Sequence, residues 1–370
     1  MRSVWAEVNI SAIKKNVALI KERLAPGVLF MAVVKANGYG HGDTEVSKAA
    51  LGAGADRLGV ALVEEGIKLR EAGIGCPIQI LGEIAPSSTK LVIENNLIPT
   101  ICSRRVVEKL SEEAKKANMR LKVHVKIDTG MHRLGVSPEE ALGFLNYVKS
   151  LSFIEVEGIF THFAMAGEST EYTKKQFKSF LSVISNLKEE GFDIPLKHAA
   201  NSAATILMPE TYLNMVRVGI SMYGLYPTKA TKQAITLNPT LQLKTRVSSV
   251  RTISSGEGVS YGLTYRAKEK TGIAVLPLGY ADGYSRLFSN KSFVLLKGKR
   301  FSVVGNVCMD QFMIDVGDCQ VEPGDEAILI GSQGGDEITA DELAEILGTI
   351  NYEVVCMISG RVPRIYLNES

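Results

Sequence analysis

From residue 12 to about residue 225, short apolar runs alternate with longer amphipathic segments, and this alternation constrains the fold more than any other feature. Apolar runs rich in β-branched residues predict buried strands, and the segments between them have helical spacing. Eight strands that alternate with helices predict a (β/α)8 TIM barrel. The expected strands are Leu29–Val34, Arg57–Ala61, Pro77–Leu81, Ile98–Ile101, Leu121–Ile127, Glu157–Thr161, Leu196–Ala199 and Met215–Ile220.

The segments between the strands predict helices, and one of them carries a start signal. Ser137 followed by Pro138 is a favourable pair for the N-cap and the first helical position. The expected helices include Ser11–Leu24, Arg105–Ala117, Pro138–Ser150 and Glu171–Glu190.

After about residue 228 the pattern changes to an alternation of period two, which predicts a mainly β domain. One late helix is expected at Thr339–Leu347, where Thr339 and Glu342 form a capping box. The alternating runs are Thr236–Ile253, Gly272–Leu278, Phe293–Leu296, Phe301–Val304, Phe312–Val316 and Glu326–Ile330. We therefore expect a barrel over residues 12–232 and a β-rich domain over residues 233–370, with residues 1–11 packing as a strand on the latter.

The composition excludes several classes of protein. A length of 370 residues suggests two domains, and a net charge of +2 without basic blocks does not indicate nucleic acid as a partner. No apolar stretch reaches 18 charge-free residues, so no membrane span is expected. The five cysteines are scattered without a CxxC spacing. This pattern fits reduced thiols in a cytoplasmic protein better than disulfides or a metal site.

Active sites of (β/α)8 barrels lie at the carboxyl ends of the strands, and here those ends are rich in polar side chains. Lys35 follows the first strand, where burial favours a neutral amine that can attack an aldehyde. Alone, it could equally be a lysine that extends to solvent from a strand end. The other strand ends add Asp128, Arg133, His162, His198, Asn201, Ser202 and Arg217. Their convergence from several strands favours one functional site.

The run Val33–Gly42, VVKANGYGHG, resembles the cofactor-lysine signature of the alanine racemases, a barrel class of pyridoxal-phosphate enzymes. Other matching motifs follow in family order across both domains. They are KIDTGM from Lys126, RLG from Arg133, THFA from Thr161, HAANSA from His198, MVRVGI from Met215, VSYGLTY ending at Tyr265, GYADGY ending at Tyr284, CMDQ from Cys308 and INYEV from Ile350. The resemblance implies interconversion of L- and D-alanine, which supplies D-alanine for peptidoglycan.

The resemblance also implies the cofactor site. Lys35 would hold pyridoxal 5'-phosphate covalently, and Arg217, oriented by the nearby histidines, would face its ring nitrogen. A guanidinium only donates hydrogen bonds, so the ring nitrogen that it faces would stay unprotonated. A glycine turn and a helix start can offer N–H groups to a phosphate. The implied cofactor residues are Lys35, Tyr39, Arg133, His162, His198, Asn201, Ser202, Arg217, Gly219, Ile220 and Tyr352.

Racemisation needs two acid–base groups on opposite faces of the substrate Cα. The resemblance nominates Lys35 and Tyr265, and it places Tyr265 in the site of a partner subunit, so a homodimer with shared sites is expected. His162 is the candidate group that assists Tyr265. Without the resemblance, a tyrosine that packs at a domain joint would be the simpler interpretation.

Further residues are implied on the substrate side. Arg133 and Met309 would contact the substrate, while Tyr284 and Asp310 would line the entrance. Lys126 is either carbamylated, as in several members of the family, or paired with Asp128. The implied pocket is small, so serine would be a weak second substrate.

Two positions depart from the family pattern: His132 replaces a usual glycine, and Asn306 replaces a frequent arginine. Both bear on substrate preference. The alternatives are a racemase of broader specificity, a barrel decarboxylase, a pyridoxal-phosphate carrier and an aldolase with a Schiff base at Lys35. A decarboxylase would need an acidic residue where this chain has Arg217, and a single-barrel carrier would lack Tyr265 and Tyr352.

Overall fold

The structure, a computed structural model, describes residues 3–368 and divides the chain into two compact units. The first, here called the barrel unit, comprises residues 12–38 and 43–239. The second, here called the β unit, comprises residues 3–11, 39–42 and 240–368. The boundary falls between Pro239 and Thr240, and a short segment after Lys35 belongs to the β unit.

Within residues 3–368 the barrel unit contains eight parallel strands, as the alternation predicts. Counting from β1 (Val4–Asn9) of the β unit, they are β2 (Leu29–Val33), β3 (Arg57–Val60), β4 (Ile78–Glu83), β5 (Ile98–Ile101), β6 (Leu121–Lys126), β7 (Ile154–Phe160), β8 (Leu196–His198) and β9 (Met215–Val218). Their order is β8-β7-β6-β5-β4-β3-β2-β9. The Arg217 N–H donates to the Ala200 carbonyl at 3.0 Å, which brings β9 back beside the end of β8. The predicted barrel is therefore confirmed, and it is nearly closed.

Helices separate the strands and bury one face each. In the helix Arg104–Lys116, for example, the buried Val106, Val107, Leu110 and Ala114 recur with helical spacing. The helices are α1 (Ile10–Lys21), α2 (Asp43–Gly52), α3 (Val63–Glu71), α4 (Thr89–Glu94), α5 (Arg104–Lys116), α6 (Ala141–Lys149), α7 (Thr170–Glu189), α8 (Ser202–Leu207), α9 (Lys229–Ala234), α10 (Ala340–Leu347) and α11 (Asn351–Cys356). None of these helices, in the part of the chain that is described, is long and apolar enough to cross a bilayer.

The expected start of one helix is wrong. Ser137 does not cap α6, because residues 137–140 form a separate turn in which Ser137 Oγ accepts from the Glu140 N–H at 3.3 Å. The helix begins only at Ala141. In contrast, Thr339 caps α10 as predicted, and its Oγ1 accepts from the Glu342 N–H at 3.0 Å.

The β unit is mainly β, as the period-two pattern predicts. Its further strands are β10 (Leu241–Arg246), β11 (Ser249–Ile253), β12 (Gly258–Val259), β13 (Tyr265–Arg266), β14 (Thr271–Leu276), β15 (Phe293–Leu296), β16 (Lys299–Val304), β17 (Phe312–Gly317), β18 (Glu326–Gln333), β19 (Asp336–Ile338) and β20 (Arg364–Leu367). One sheet has the order β11-β14-β17-β16-β15-β18-β10-β1-β20, with β19 on β18, and β12 pairs with β13 separately. Strand β1 lies between antiparallel β10 and parallel β20.

Candidate active site

The carboxyl ends of the barrel strands bring the predicted residues of the barrel unit to one end of the sheet. Lys35 follows β2, Lys126 ends β6, His198 ends β8, and Arg217 lies near the end of β9. His162 lies two residues beyond β7. Since the strands are parallel, these side chains converge at the end where barrels place their chemistry.

Arg217 is the centre of this arrangement, and it is only 4% exposed. Its Nη1 donates to His198 Nδ1 at 2.9 Å. Its Nη2 donates to the carbonyls of Thr161 at 2.8 Å and Ala199 at 3.1 Å, and lies 3.2 Å from His162 Nδ1. Burial lowers the pKa of Arg217 to about 9, so it remains a cation at neutral pH.

The two histidines beside Arg217 are neutral. Burial, followed by the charge of Arg217, lowers the pKa of His162 and of His198 well below the usual value. A guanidinium can only donate, so each Nδ1 atom that faces it must accept. Both imidazoles therefore carry their proton on Nε2. The expectation that both histidines contact Arg217 agrees with this geometry.

Lys35 begins a turn with an unusual backbone. Ala36 and Asn37 both have φ of 53°, and Tyr39 has φ of 50°, in the left-handed region that side chains other than glycine rarely adopt. Within the barrel unit the turn is held by the Ala36 N–H, which donates to Glu65 Oε1 at 2.6 Å. Lys35 itself is half-buried. Strained backbone of this kind is frequent at functional sites.

The loop after β6, which contains Arg133, is held by hydrogen bonds to one carboxylate. Asp128 Oδ1 accepts from the N–H groups of Gly130, Met131 and His132 at 3.0 to 3.1 Å. His132 has φ of 53°, which explains why glycine is favoured at its position, and its side chain points to solvent. Arg133 is exposed.

Lys126 is 3% exposed, and its Nζ donates to the Leu134 carbonyl. Among the described residues, no Asp128 oxygen lies within ion-pair distance of Lys126 Nζ, although the charge of Asp128 still raises the pKa of this lysine. Burial is the main reason that the pKa of Lys126 falls to about 8. At neutral pH Lys126 therefore carries more neutral amine than an ordinary lysine does.

The turn after β9 offers donors that suit a phosphate. Ser202 is buried, and its Oγ accepts from the Gly219 N–H at 2.8 Å, so its own proton remains to be donated. Asn201 caps α8, with its Oδ1 accepting from the Ala204 N–H at 3.1 Å. In the 3-10 turn Ile220–Tyr223, the Ser221 hydroxyl is buried with no protein partner, one of a few such atoms among residues 3–368. A buried hydroxyl without a protein partner, two residues after Gly219, is a group that a bound oxyanion could satisfy.

The remaining predicted residues belong to the β unit. Tyr39 and Tyr352 lie together there, with ring centroids 6.2 Å apart. Met309 is 53% exposed, and Asp310 accepts from Arg361 at 2.6 Å. Tyr284 differs: it is 2% exposed, stacks on Phe312, and donates to Ser292 Oγ at 3.0 Å. It packs as a core residue, so this packing gives no support to its predicted place at an entrance.

Tyr265 has an acceptor in its own chain. Its ring packs against Val259, Ile273 and Val304, and its hydroxyl donates to Asp315 Oδ2. Burial, then the hydrogen bond to Asp315, raises the pKa of Tyr265 to about 12. The expected assistant of Tyr265, His162, belongs to the barrel unit. Asp315 was not predicted from the sequence as a partner of Tyr265. The only sign of it in the sequence was a carboxylate inside the alternating strand β17, where most neighbours are apolar.

Asp315→Asn will lower the pKa of Tyr265 towards its ordinary value, because the substitution removes the negative charge that disfavours tyrosinate. A base that is active when deprotonated then reaches its active form at lower pH. NMR of 13Cζ-labelled tyrosine, with Tyr265→Phe to assign the resonance, measures the midpoint directly. An unchanged midpoint would show that Asp315 does not control Tyr265.

The comparisons with known proteins agree with one another. The family models for the alanine racemase N-terminal and C-terminal domains match residues 8–227 and 240–366. The alanine racemase of Halothermothrix orenii is 48% identical over 370 residues, 100% of this chain and 98% of that protein. A structure of alanine racemase from Bacillus anthracis with bound L-Ala-P has a TM-score of 0.95 at 42% identity, covering 100% of this chain and 96% of that one. A structure of alanine racemase from Bartonella henselae with covalently bound pyridoxal phosphate has a TM-score of 0.89 at 26% identity, covering 99% and 100%.

The chain has a nearly closed barrel with a lysine, a buried arginine and neutral histidines at its strand ends, and it continues into a mainly β unit. Together with the comparisons, these features define a barrel-type pyridoxal-phosphate enzyme. The chain belongs to the alanine racemase family, and this confirms the resemblance seen in its motifs. Members of this family are isomerases that use pyridoxal phosphate.

Proposed function

We propose that this chain interconverts L- and D-alanine, with pyridoxal 5'-phosphate held at Lys35. The observation that carries the proposal is the match of both domains over nearly the whole chain, combined with Lys35 and Arg217 at the same end of the barrel. A racemase with a broader substrate range is not favoured, because relatives across the full length are named for alanine.

The residues at the barrel end fit this cofactor. The buried Ser202 hydroxyl, the turn after β9 and the orphaned Ser221 hydroxyl supply donors for a phosphate. Arg217 would present a cation, not a carboxylate, to a ring nitrogen, and its hydrogen bonds to His198, Thr161 and Ala199 hold it in one orientation. When bound, pyridoxal phosphate withdraws electrons from the substrate Cα and so makes its proton removable.

The chain's own groups then move that proton. Once the substrate amine has displaced it from the cofactor, the free Lys35 amine would take the proton from, or return it to, one face of Cα, and Tyr265 of the partner subunit would serve the opposite face. His162 offers only a neutral Nε2–H, so it donates a hydrogen bond and does not accept a proton at neutral pH. Arg217, which only donates hydrogen bonds, would leave the ring nitrogen unprotonated, and the weaker electron withdrawal that results would limit side reactions.

A racemisation assay tests this function. Purified enzyme with added pyridoxal phosphate is expected to racemise L-alanine faster than L-serine by about tenfold or more, since one added group in a tight pocket is typically discriminated by about 1–3 kcal/mol. Chiral chromatography of both products, with and without cofactor, gives the answer. Preference for a larger amino acid, or racemisation by enzyme from which the bound cofactor has been removed, would refute the assignment.

We further propose a homodimer in which each site takes Tyr265 from the partner subunit. Exposed apolar side chains of the β unit, two of them shortly before Tyr265 in the chain, support this proposal, because exposed apolar surface often marks an interface. Tyr261 is 75% exposed and Leu263 is 47% exposed. Met309, whose carbonyl accepts from the Ala281 N–H, is 53% exposed.

Subunit mixing will distinguish shared from private sites. When Lys35→Ala and Tyr265→Phe subunits are mixed in equal amounts, half of the random dimers are hybrids, and a shared arrangement makes one of their two sites wild-type. Activity should therefore return to about a quarter of the wild-type value. With private sites every site carries a substitution, and no activity returns. Sedimentation checks that hybrids form.

Two finer assignments complete the proposal. The lowered pKa of Lys126 favours carbamylation, because only the neutral amine adds carbon dioxide, and the product is an anion near Arg133. A 13C-carbonate-labelled resonance that disappears in Lys126→Ala would identify it.

We also propose a cytoplasmic location, since none of the five cysteines forms a disulfide in the described chain.

A further inference from the structure

A chain of buried polar side chains runs through the barrel unit from Arg217 to the opposite ends of the strands. His198 Nδ1 lies 2.9 Å from Arg217 Nη1, and His198 Nε2 lies 2.8 Å from His124 Nδ1. His124 Nε2 lies 3.1 Å from Glu157 Oε2, which also accepts from Arg57 Nη2 at 2.5 Å. All five residues are at most 8% exposed. We call Arg217, His198, His124 and Glu157 the relay.

The donors and acceptors of the relay allow one proton arrangement. Arg217 can only donate, so His198 Nδ1 accepts and His198 Nε2 carries the proton. That proton is donated to His124 Nδ1, which leaves the second proton on His124 Nε2. Glu157 as a carboxylate can only accept it. Arg217 at one end is a donor and Glu157 at the other is an acceptor, and both therefore require the same tautomers of the two histidines.

The charges at the relay are consistent with this arrangement. Burial alone would raise the pKa of Glu157, but hydrogen bonds from His124 and Arg57 hold it well below its usual value. Burial lowers the pKa of His124, although Glu157 acts in the opposite direction. The other charges that face this imidazole, Arg57 and Arg217, also oppose its protonation. Glu157 is thus an anion and His124 is neutral.

The backbone is adapted to the relay. The β6–β7 register shifts between Val123 and His124, which places His124 opposite Gly158. A Cβ atom at Gly158 would lie only 2.4 Å from Cε1 of His124. The ring of Phe160 also stacks on His198 with centroids 4.7 Å apart. These features hold both imidazoles in the orientation that the hydrogen bonds require.

We propose that Glu157 is a positioning residue that acts on Arg217 through the two histidines of the relay. Every polar proton along it points from Arg217 towards Glu157, so each hydrogen bond polarises the next and the carboxylate compensates a buried cation that it does not touch. Loss of that acceptor leaves a buried N–H unsatisfied and loosens Arg217. The consequence for catalysis rests on the function proposed above, whereas the proton arrangement does not.

Neutron diffraction from crystals of the holoenzyme tests the arrangement directly. Exchanged deuterium is expected on Nε2 of both His124 and His198, with no deuterium on either Nδ1. A proton on either Nδ1, or a protonated imidazole, would overturn the proposal. This result depends on no assay, so it stands or falls independently of the racemase function.

Variants of Glu157 test the consequence. Glu157→Met removes the acceptor, whereas Glu157→Gln keeps an oxygen that can accept from His124. Lys122→Met is the matched control, because Lys122 Nζ donates to the other oxygen, Glu157 Oε1, from outside the relay at 3.0 Å. The readouts are the Arg217–His198 distance in crystals and the number of racemisation turnovers per cofactor lost by transamination.

We expect Glu157→Met to lengthen the Arg217–His198 contact and to lower that turnover number by about tenfold or more, the size of effect typical when a supporting hydrogen bond is lost. Glu157→Gln should restore most of it, and Lys122→Met should match the wild type. A folded Glu157→Met enzyme with the wild-type Arg217–His198 distance and the wild-type number of turnovers per cofactor lost would overturn the positioning role. If no variant or wild-type enzyme racemises alanine, the function fails and the neutron result decides the relay.

Discussion

Replacing Lys35 with alanine will abolish covalent cofactor binding and lower racemisation by at least about 10³-fold, because the substitution removes both the anchor and one acid–base group. The absorbance at about 420 nm that is expected when an amine of the protein holds pyridoxal phosphate should be absent from Lys35→Ala. Borohydride reduction followed by mass spectrometry should label the wild type at Lys35 and leave the variant unlabelled.

A second lysine provides the control for this result. Lys197 lies on strand β8 of the same barrel sheet, and its Nζ donates to the Ile194 carbonyl. Lys197→Ala should keep the absorbance and the reducible bond. Added methylamine should restore part of the proton transfer to Lys35→Ala, since a small amine can enter the space that the side chain leaves. A reducible bond that survives in Lys35→Ala would contradict the assignment.

The barrel was predictable because its strands are buried on both faces and therefore read as continuous apolar runs. The position of Lys35 and Arg217 at one end followed from the parallel order of the strands. Family motifs then supplied chemistry that no periodicity contains. The start of α6 was not predictable, since Ser137 can cap a short turn as well as a helix.

The relay and the Tyr265 acceptor were beyond the sequence for a different reason. His124 and Glu157 meet only because β6 and β7 pair with a shifted register. Tyr265 and Asp315 are separated by 50 positions, and their contact depends on how β13 and β17 are placed in the β unit. Residue type and spacing indicate which groups are available, but register decides which of them become partners.

Tyr265→Phe will separate the two faces of the reaction. The variant keeps the ring that packs on Val259 and Ile273 but loses the hydroxyl. If Tyr265 serves the face from which L-alanine loses its proton, exchange of the α-hydrogen of L-alanine should fall by about 10²–10⁴-fold. Exchange from D-alanine, which uses Lys35, should fall much less.

The measurement must be exchange with solvent deuterium and not the racemisation rate in each direction. Mirror-image amino acids have equal free energy in water, so the ratio of kcat/KM between the two directions is fixed at one for every variant and cannot reveal which base was lost. In deuterium oxide, Tyr265→Phe should return D-alanine that is labelled at Cα yet still D, because Lys35 can remove and replace the proton on one face. Asp315→Asn, which keeps the hydroxyl, should label both enantiomers as the wild type does. Equal losses of exchange from both enantiomers in Tyr265→Phe would mean that one group serves both faces, and the two-base mechanism would then fail even if the chain racemises alanine.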